Sequence, residues 1–225
     1  VPTLPSILIT AGPTHEPIDL VRFIGNRSSG KMGIAIAHAA ASRGYPTTLL
    51  LGPVPQPPPA DSPYSVLRFR TAADLSHLLD QHAPNAAIII MAAAVADYRP
   101  RQDPATANSK FRRTDQPLVL NLESTPDLLA GVSSRRRPGQ YLVGFALEPR
   151  AEVESSSLAK LQRKSIDMVV GNPLETMDAD GIDATIFTRT GNRISPGRPL
   201  PKADFASFLL DTIESHTAEQ ARTTE

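Results

Sequence analysis

Residues 25–33 read GNRSSGKMG, so Gly25, Gly30 and Lys31 satisfy the Gly-x4-Gly-Lys spacing of a phosphate loop. Met32 stands where that loop requires a serine or threonine. The missing hydroxyl would hold the magnesium that bridges the outer phosphates, so the segment can cradle an anion without the parts for P-loop hydrolysis. Ser28 and Ser29 are helix-capping types, and Met32, Ile34, Ile36 and Ala37 predict a helix over 28–43, stopped by Arg43-Gly44. Backbone N–H groups at such a start suit a phosphate held by Ser28, Ser29, Gly30 and Lys31. The same residues also fit an ordinary serine cap and a glycine that lets helix and sheet pack closely.

Further along, MAAAVADYRP sets tiny residues and one carboxylate, Asp97, just beyond an apolar run. Asp97 could accept from ribose hydroxyls, hold magnesium, or simply cap a turn. Lys110 heads a cluster with Arg112 and Arg113, charge enough for a triphosphate and equally the pattern of a solvated face. Arg135, Arg136 and Arg137 read as solvated. Lys160 and Lys164, one helical turn apart, share a face. The histidines have no ligand spacing, and His15, in the first loop, fits a bland loop role better than a ligand contact.

These residues need a scaffold. Apolar runs of strand length recur at 7–10, 47–51, 66–69, 87–92, 141–146 and 168–171, most of them continuous, as for strands buried on both faces. Helical patterns at 28–43, 72–82, 126–134 and 151–164 lie between them. The alternation predicts an α/β fold, a Rossmann-like and mostly parallel sheet with flanking helices. A small carboxyl-terminal β-hairpin around Thr190-Gly191-Asn192 and a closing helix over 202–215 complete it. Ligands bind outside the carboxyl ends of parallel strands. The segments TAGP, with Gly12, then AAVADYRP, GFALEP and GNP should therefore meet in one crevice.

The chain has 225 residues, 23 Lys plus Arg against 23 Asp plus Glu, and no cysteine. We expect one domain over 1–216 and a polar, disordered tail over 217–225. Balanced charge gives no field toward nucleic acid or an anionic membrane, and no run approaches the roughly 20 apolar residues of a membrane span. The absence of cysteine removes disulfides, thiolate nucleophiles and zinc-cysteine sites, and is compatible with a cytoplasmic setting.

Taken in order, TAGPTHEPIDLVRFIGNRSSGKMG, AAAVADYRP, the lysine-led cluster, STPDLL, VGFALE and KLQRK followed by MVVGN resemble the phosphopantothenoylcysteine synthetase family over about residues 7–215. The resemblance implies a homodimeric ligase that joins phosphopantothenate to cysteine in coenzyme A biosynthesis. CTP and magnesium serve the bacterial members, and ATP the eukaryotic ones. It implies an acyl cytidylate formed with loss of pyrophosphate, from which the cysteine amine displaces CMP. By matching motif, Asn26 handles that intermediate, and Arg22 and Lys110 complete the catalytic set. Gly12, Met91, Ala92, Ala93, Asp97, Lys110, Pro126, Asp127, Leu128, Leu129, Phe145, Lys160 and Lys164 face the nucleotide. Asn26, Ala93, Ala94 and Asp97 face the pantothenate chain, and Asp97 is the metal ligand. Two departures stand out: Lys-x-Lys-Lys reads KFRR here, and Arg27 replaces the histidine that often precedes SSG. A flavin decarboxylase domain or partner often accompanies such chains, and the start at Val1 favours the carboxyl-terminal part of a bifunctional protein over a stand-alone ligase. The alternatives are an ATP-dependent ligase, a non-catalytic Rossmann nucleotide-binding module, or an idle scaffolding subunit. A dinucleotide site is disfavoured because the first turn lacks Gly-x-Gly-x-x-Gly.

Overall fold

The computed structural model describes residues 4–101, 110–113, 115–177 and 179–224. The first half contains β1 (Ile7–Ala11), β2 (His15–Pro17), β3 (Phe23–Gly25), α1 (Lys31–Ser42), β4 (Thr47–Leu51), β5 (Ser65–Arg68), α2 (Ala72–His82) and β6 (Ile88–Met91). Then come β7 (Tyr98–Pro100), β8 (Leu122–Ser124), α3 (Leu128–Ser134), β9 (Tyr141–Glu148), α4 (Val153–Lys164) and β10 (Met168–Pro173). The chain closes with β11 (Gly181–Ile182), β12 (Thr185–Thr188), β13 (Arg193–Ile194), β14 (Leu200–Pro201) and α5 (Lys202–Thr224).

The main sheet runs β13-β12-β10-β9-β6-β1-β4-β5, parallel from β10 to β5, with β12 and β13 adding the expected antiparallel hairpin at one edge. Its continuous apolar strands are covered twice. Ile7, Ile9, Leu49 and Leu51 pack under α1 and α5, through Ile36, Ala37, Phe205 and Leu209. Leu8, Leu50, Ile89 and Leu142 pack under α2, α3 and α4, through Leu75, Val132 and Leu161. Adjacent residues of one strand thus feed opposite layers, as the pleat requires. Among the described residues no helix is long and apolar enough to cross a membrane.

The chain leaves β1 toward β4 and β5 on one side and returns to β6 on the other, so the strand order reverses between β1 and β6. A crevice forms there because the two crossovers part.

Several sequence expectations change. Ser28 and Ser29 do not cap α1: its N-cap is Gly30 at φ 69, with no side-chain cap. A Cβ there would lie 2.7 Å from Val54 Cγ1, so both the left-handed backbone and the crowding call for glycine. The close helix–sheet approach falls instead on Gly33, where a Cβ would meet Ala11 Cβ at 2.5 Å. The closing helix runs beyond residue 215, and the polar stretch after His216 continues it to Thr224. The antiparallel pairs β2–β3, β7–β8 and β11–β14 were not foreseen, because strands of two or three residues carry no readable period. The His15 ring stacks on Phe23 at 3.6 Å between centroids. Arg136 departs from the solvated reading and pairs with the buried Asp167 at 2.8 Å.

Candidate functional site

A cavity of about 660 Å³ opens where β1, β6, β9 and β10 end. Its floor is the segment after β6, held on the turn after β1 by backbone and threonine hydroxyl. Ala92 N–H donates to Thr10 C=O at 3.1 Å, and Ala94 N–H to Gly12 C=O at 2.9 Å. Ala93 N–H donates to Thr10 Oγ1 at 3.1 Å, and Ala96 N–H to Thr14 Oγ1 at 3.0 Å. Thr10 and Thr14 are fully buried, so these bonds compete with no solvent. The small side chains of Ala92, Ala93 and Ala94 then leave a flat wall on the cavity.

Opposite lies the loop 25–33, which lines the cavity from Gly25 to Gly33. Asn26 Nδ2 donates to Val95 C=O at 3.0 Å, tying loop to floor. Ser28 Oγ accepts from Gly30 N–H at 3.4 Å, which shapes the turn before α1. Gly12 stands just behind, its Cα 3.4 Å from where a Gly30 Cβ would be.

The remaining walls include charged and aromatic groups among apolar and neutral polar ones. Half-buried Phe145 lines the cavity with Lys160, whose Nζ donates to Phe145 C=O at 2.5 Å. Burial pushes the Lys160 ammonium below the usual lysine range, against the opposing pull of Glu148 and Asp97. Asp97 is exposed on the cavity, its backbone carbonyl accepting from Thr125 N–H at 2.9 Å. Lys31 Nζ reaches Asp180 Oδ1 at 2.8 Å.

The structure therefore brings together Asn26, Ser28, Ser29, Gly30, Lys31, Ala92, Ala93, Ala94, Asp97, Phe145 and Lys160. It sets other expected residues outside the cavity lining. Met91 and Leu128 are core side chains, and Leu129 packs beside Gly144. Asp127 caps α3, accepting from Ala130 N–H at 3.0 Å, and pairs with Lys164. Lys164 is buried, and its ammonium is pushed down by that burial against the pull of Asp97. Pro126 precedes the cap and does not line the cavity.

Arg22 also points elsewhere. Its guanidinium binds Asp19 Oδ2 through Nε at 3.0 Å and Nη2 at 2.5 Å, and Nη2 donates to Phe111 C=O at 3.0 Å. Asp19 Oδ2 also accepts from Phe111 N–H at 3.0 Å. Arg22 beside it holds the buried Asp19 carboxyl well below the usual carboxylate range. The pair clamps the backbone next to Lys110, which is exposed and outside the cavity lining, as are Arg112 and Arg113.

Glu148 and Asn172 also line the cavity, as expected of the segments GFALEP and GNP, although neither residue was singled out, and Thr176 and Lys202 were missed. Asn172 had a signal, since it follows an apolar strand in GNP. Lys202 had none, since nothing in its own segment links it to the glycine loop. Among the described residues no group of three or more His, Cys, Asp or Glu could hold a metal ion.

The family model described as the DNA/pantothenate metabolism flavoprotein C-terminal domain matches residues 4–217. The coenzyme A biosynthesis bifunctional protein CoaBC of Mycobacterium tuberculosis (strain ATCC 25618 / H37Rv) is 39% identical over 225 residues, covering 94% of this chain and 52% of that protein. A cysteine/cysteine sulfinic acid decarboxylase from an unknown prokaryotic organism is 44% identical over 169 residues, 75% of this chain and 46% of that protein. The chain thus spans about half the length of these curated relatives. The crystal structure of the C-terminal domain of CoaBC is 34% identical, covers 96% of both chains and superposes with a TM-score of 0.80.

Proposed function

We propose an activity from the premise that this chain belongs to the DNA/pantothenate metabolism flavoprotein C-terminal domain family. It joins 4'-phosphopantothenate to L-cysteine in coenzyme A biosynthesis, with CTP as the activating nucleotide. One observation carries the reading: the glycine loop, the alanine floor, Phe145 and Lys160 line a single cavity at the strand-order reversal. The naming of CoaBC relatives for coenzyme A biosynthesis supports the pathway.

In the first step a carboxylate oxygen of phosphopantothenate attacks the α-phosphorus of CTP, and the bond to the β-phosphate oxygen breaks. Pyrophosphate leaves. In the second, the cysteine nitrogen attacks the acyl carbon, the bond to CMP oxygen breaks, and the amine proton passes to solvent. No covalent enzyme intermediate is needed, in keeping with the cysteine-free chain. Catalysis then rests on alignment and charge. The bond to Val95 uses one N–H of the Asn26 amide and leaves the other to donate to the developing oxyanion. Ser28, Ser29, Gly30 and Lys31 receive phosphate, Phe145 packs against base or sugar, and Lys160 offsets phosphate charge.

Magnesium fits this donor set. It is held by one or two carboxylates plus substrate phosphates, and Asp97 faces the cavity. Asp97 with the substrate phosphates would hold it, and it would supply charge neutralisation of the triphosphate.

The same proposal includes a homodimer, a cytoplasmic setting and a flavin decarboxylase domain or partner acting next. Leu20, Val21 and Phe23 beside β2–β3, and Tyr98, Leu118, Val119 and Leu122 beside β7–β8, are exposed apolar groups, and β2 packs against β7. Exposed apolar side chains on adjoining ribbons suit a second copy. The test is turnover with each nucleotide. With phosphopantothenate, cysteine and magnesium, CTP should yield CMP and pyrophosphate in equal amounts. Turnover with ATP alone reverses the nucleotide assignment, and carbon dioxide release from cysteine without CTP supports a decarboxylase instead.

A further inference from the structure

Lys31 opens α1 and Lys202 opens α5, the two helices that pack together on one face of the sheet. Far apart in sequence, the two side chains line the same cavity. Both hold one short turn. Lys31 Nζ donates to Asp180 Oδ1 at 2.8 Å, Lys202 Nζ donates to Ala179 C=O, and Lys202 N–H donates to Asp180 C=O at 3.2 Å. The Asp180 side chain is 95% exposed, so no packing fixes it there. What holds its carboxylate is charge: Lys31 first, then Lys202, keep it below the usual carboxylate range. An exposed pair of this kind is weak. A phosphate group offers more charge and more acceptor oxygens to the same two ammonium groups, and so competes well for them.

We propose that Lys31 and Lys202 form a phosphate-binding subsite, in which the Asp180 carboxylate stands in for the ligand's phosphate and is displaced on binding. The ligand source rests on the ligase reading, where the phosphate belongs either to CTP or to 4'-phosphopantothenate. The chemistry is common to both. Lys202 thereby becomes a binding residue and Asp180 a competitor, and their substitutions have opposite signs.

Calorimetric titration of the full chain, without turnover, uses CTP, 4'-phosphopantothenate and inorganic pyrophosphate as separate probes. Lys202→Gln should weaken one or more of them about tenfold, and Lys202→Arg should recover most of the loss. Asp180→Asn should tighten the same probes by a few-fold, because the internal competitor is gone. Whichever of CTP and phosphopantothenate carries both shifts is the source of the phosphate. Unchanged affinity for all three probes in Lys202→Gln, or weaker binding in Asp180→Asn, overturns the subsite. If Lys202→Gln fails to fold, the sign of the Asp180→Asn shift decides alone. Opposite shifts for pyrophosphate in a chain that releases no CMP would uphold the subsite and reject the ligase reading.

Discussion

In the proposed reaction Asn26 handles the oxyanion and Lys160 the phosphate charge, and each side chain is held by one backbone carbonyl. Asn26 is held by Val95 C=O and Lys160 by Phe145 C=O. Asn26→Asp removes the amide donor and adds a negative charge where an oxyanion must form. We expect cysteine-dependent turnover to fall on the order of 10²-fold while acyl cytidylate accumulates in quenched samples. Unchanged turnover would remove Asn26 from the second step. In the proposed site Lys160 would hold phosphate only when protonated, and burial lowers its pKa. CTP affinity should therefore weaken as pH rises through a value below the ordinary lysine pKa of about 10.4. In the ligand-free chain the sign is opposite. The unfolded state holds the Lys160 proton to higher pH, so its contribution to stability rises over the same interval. Lys160→Gln should flatten both curves, and a CTP affinity profile identical to wild type would refute the assignment. At this scale the ordered motifs made Asn26, the three alanines, Phe145 and Lys160 readable. Lys202 was not, because its place depends on α5 returning to pack on α1.

The element that positions the cationic segment is a clamp rather than a strand. Asp19 accepts from Val21 and Arg22 N–H groups, pairs with the Arg22 guanidinium and accepts from Phe111 N–H. The Arg22 guanidinium also lies 5.9 Å from the Phe111 ring centroid. Asp19→Asn keeps the shape and removes the charge, so the Lys110 segment should loosen. The KM for CTP should rise roughly tenfold, with kcat changed less and protease sensitivity appearing near Phe111. Equal KM and equal protease resistance would leave Arg22 a local structural residue. The start of α1 makes a separate prediction: Gly30→Ala forces a side chain into left-handed backbone beside Val54, costing about 1–3 kcal/mol in denaturant unfolding. A loss of only a few tenths would show that the turn relaxes freely. Sequence reading found the glycine turn that opens α1 but gave the cap to Ser28 and Ser29. Capping preference by residue type could not see that Val54, beyond β4, and Gly12, just after β1, crowd the turn.

For the whole molecule, strand and helix alternation was legible because each apolar run feeds two layers, and both layers came from helices with a regular period. The short ribbons were not, although they bear the exposed apolar groups that would face a second copy. Sedimentation of the wild-type chain should give a dimer, and Val119→Lys with Leu20→Lys should shift it to monomer while leaving the sheet intact by circular dichroism. A wild-type monomer at working concentration would remove the dimer from the account. The central claim is that the carboxylate of phosphopantothenate bonds to the α-phosphorus of CTP. Single-turnover reaction with phosphopantothenate carrying ¹⁸O in its carboxylate tests it at the atom concerned. With both carboxylate oxygens labelled, one label should appear in the CMP released, one should stay in the amide product and none should enter pyrophosphate; unlabelled CMP, with one label passed to pyrophosphate instead, would contradict this route.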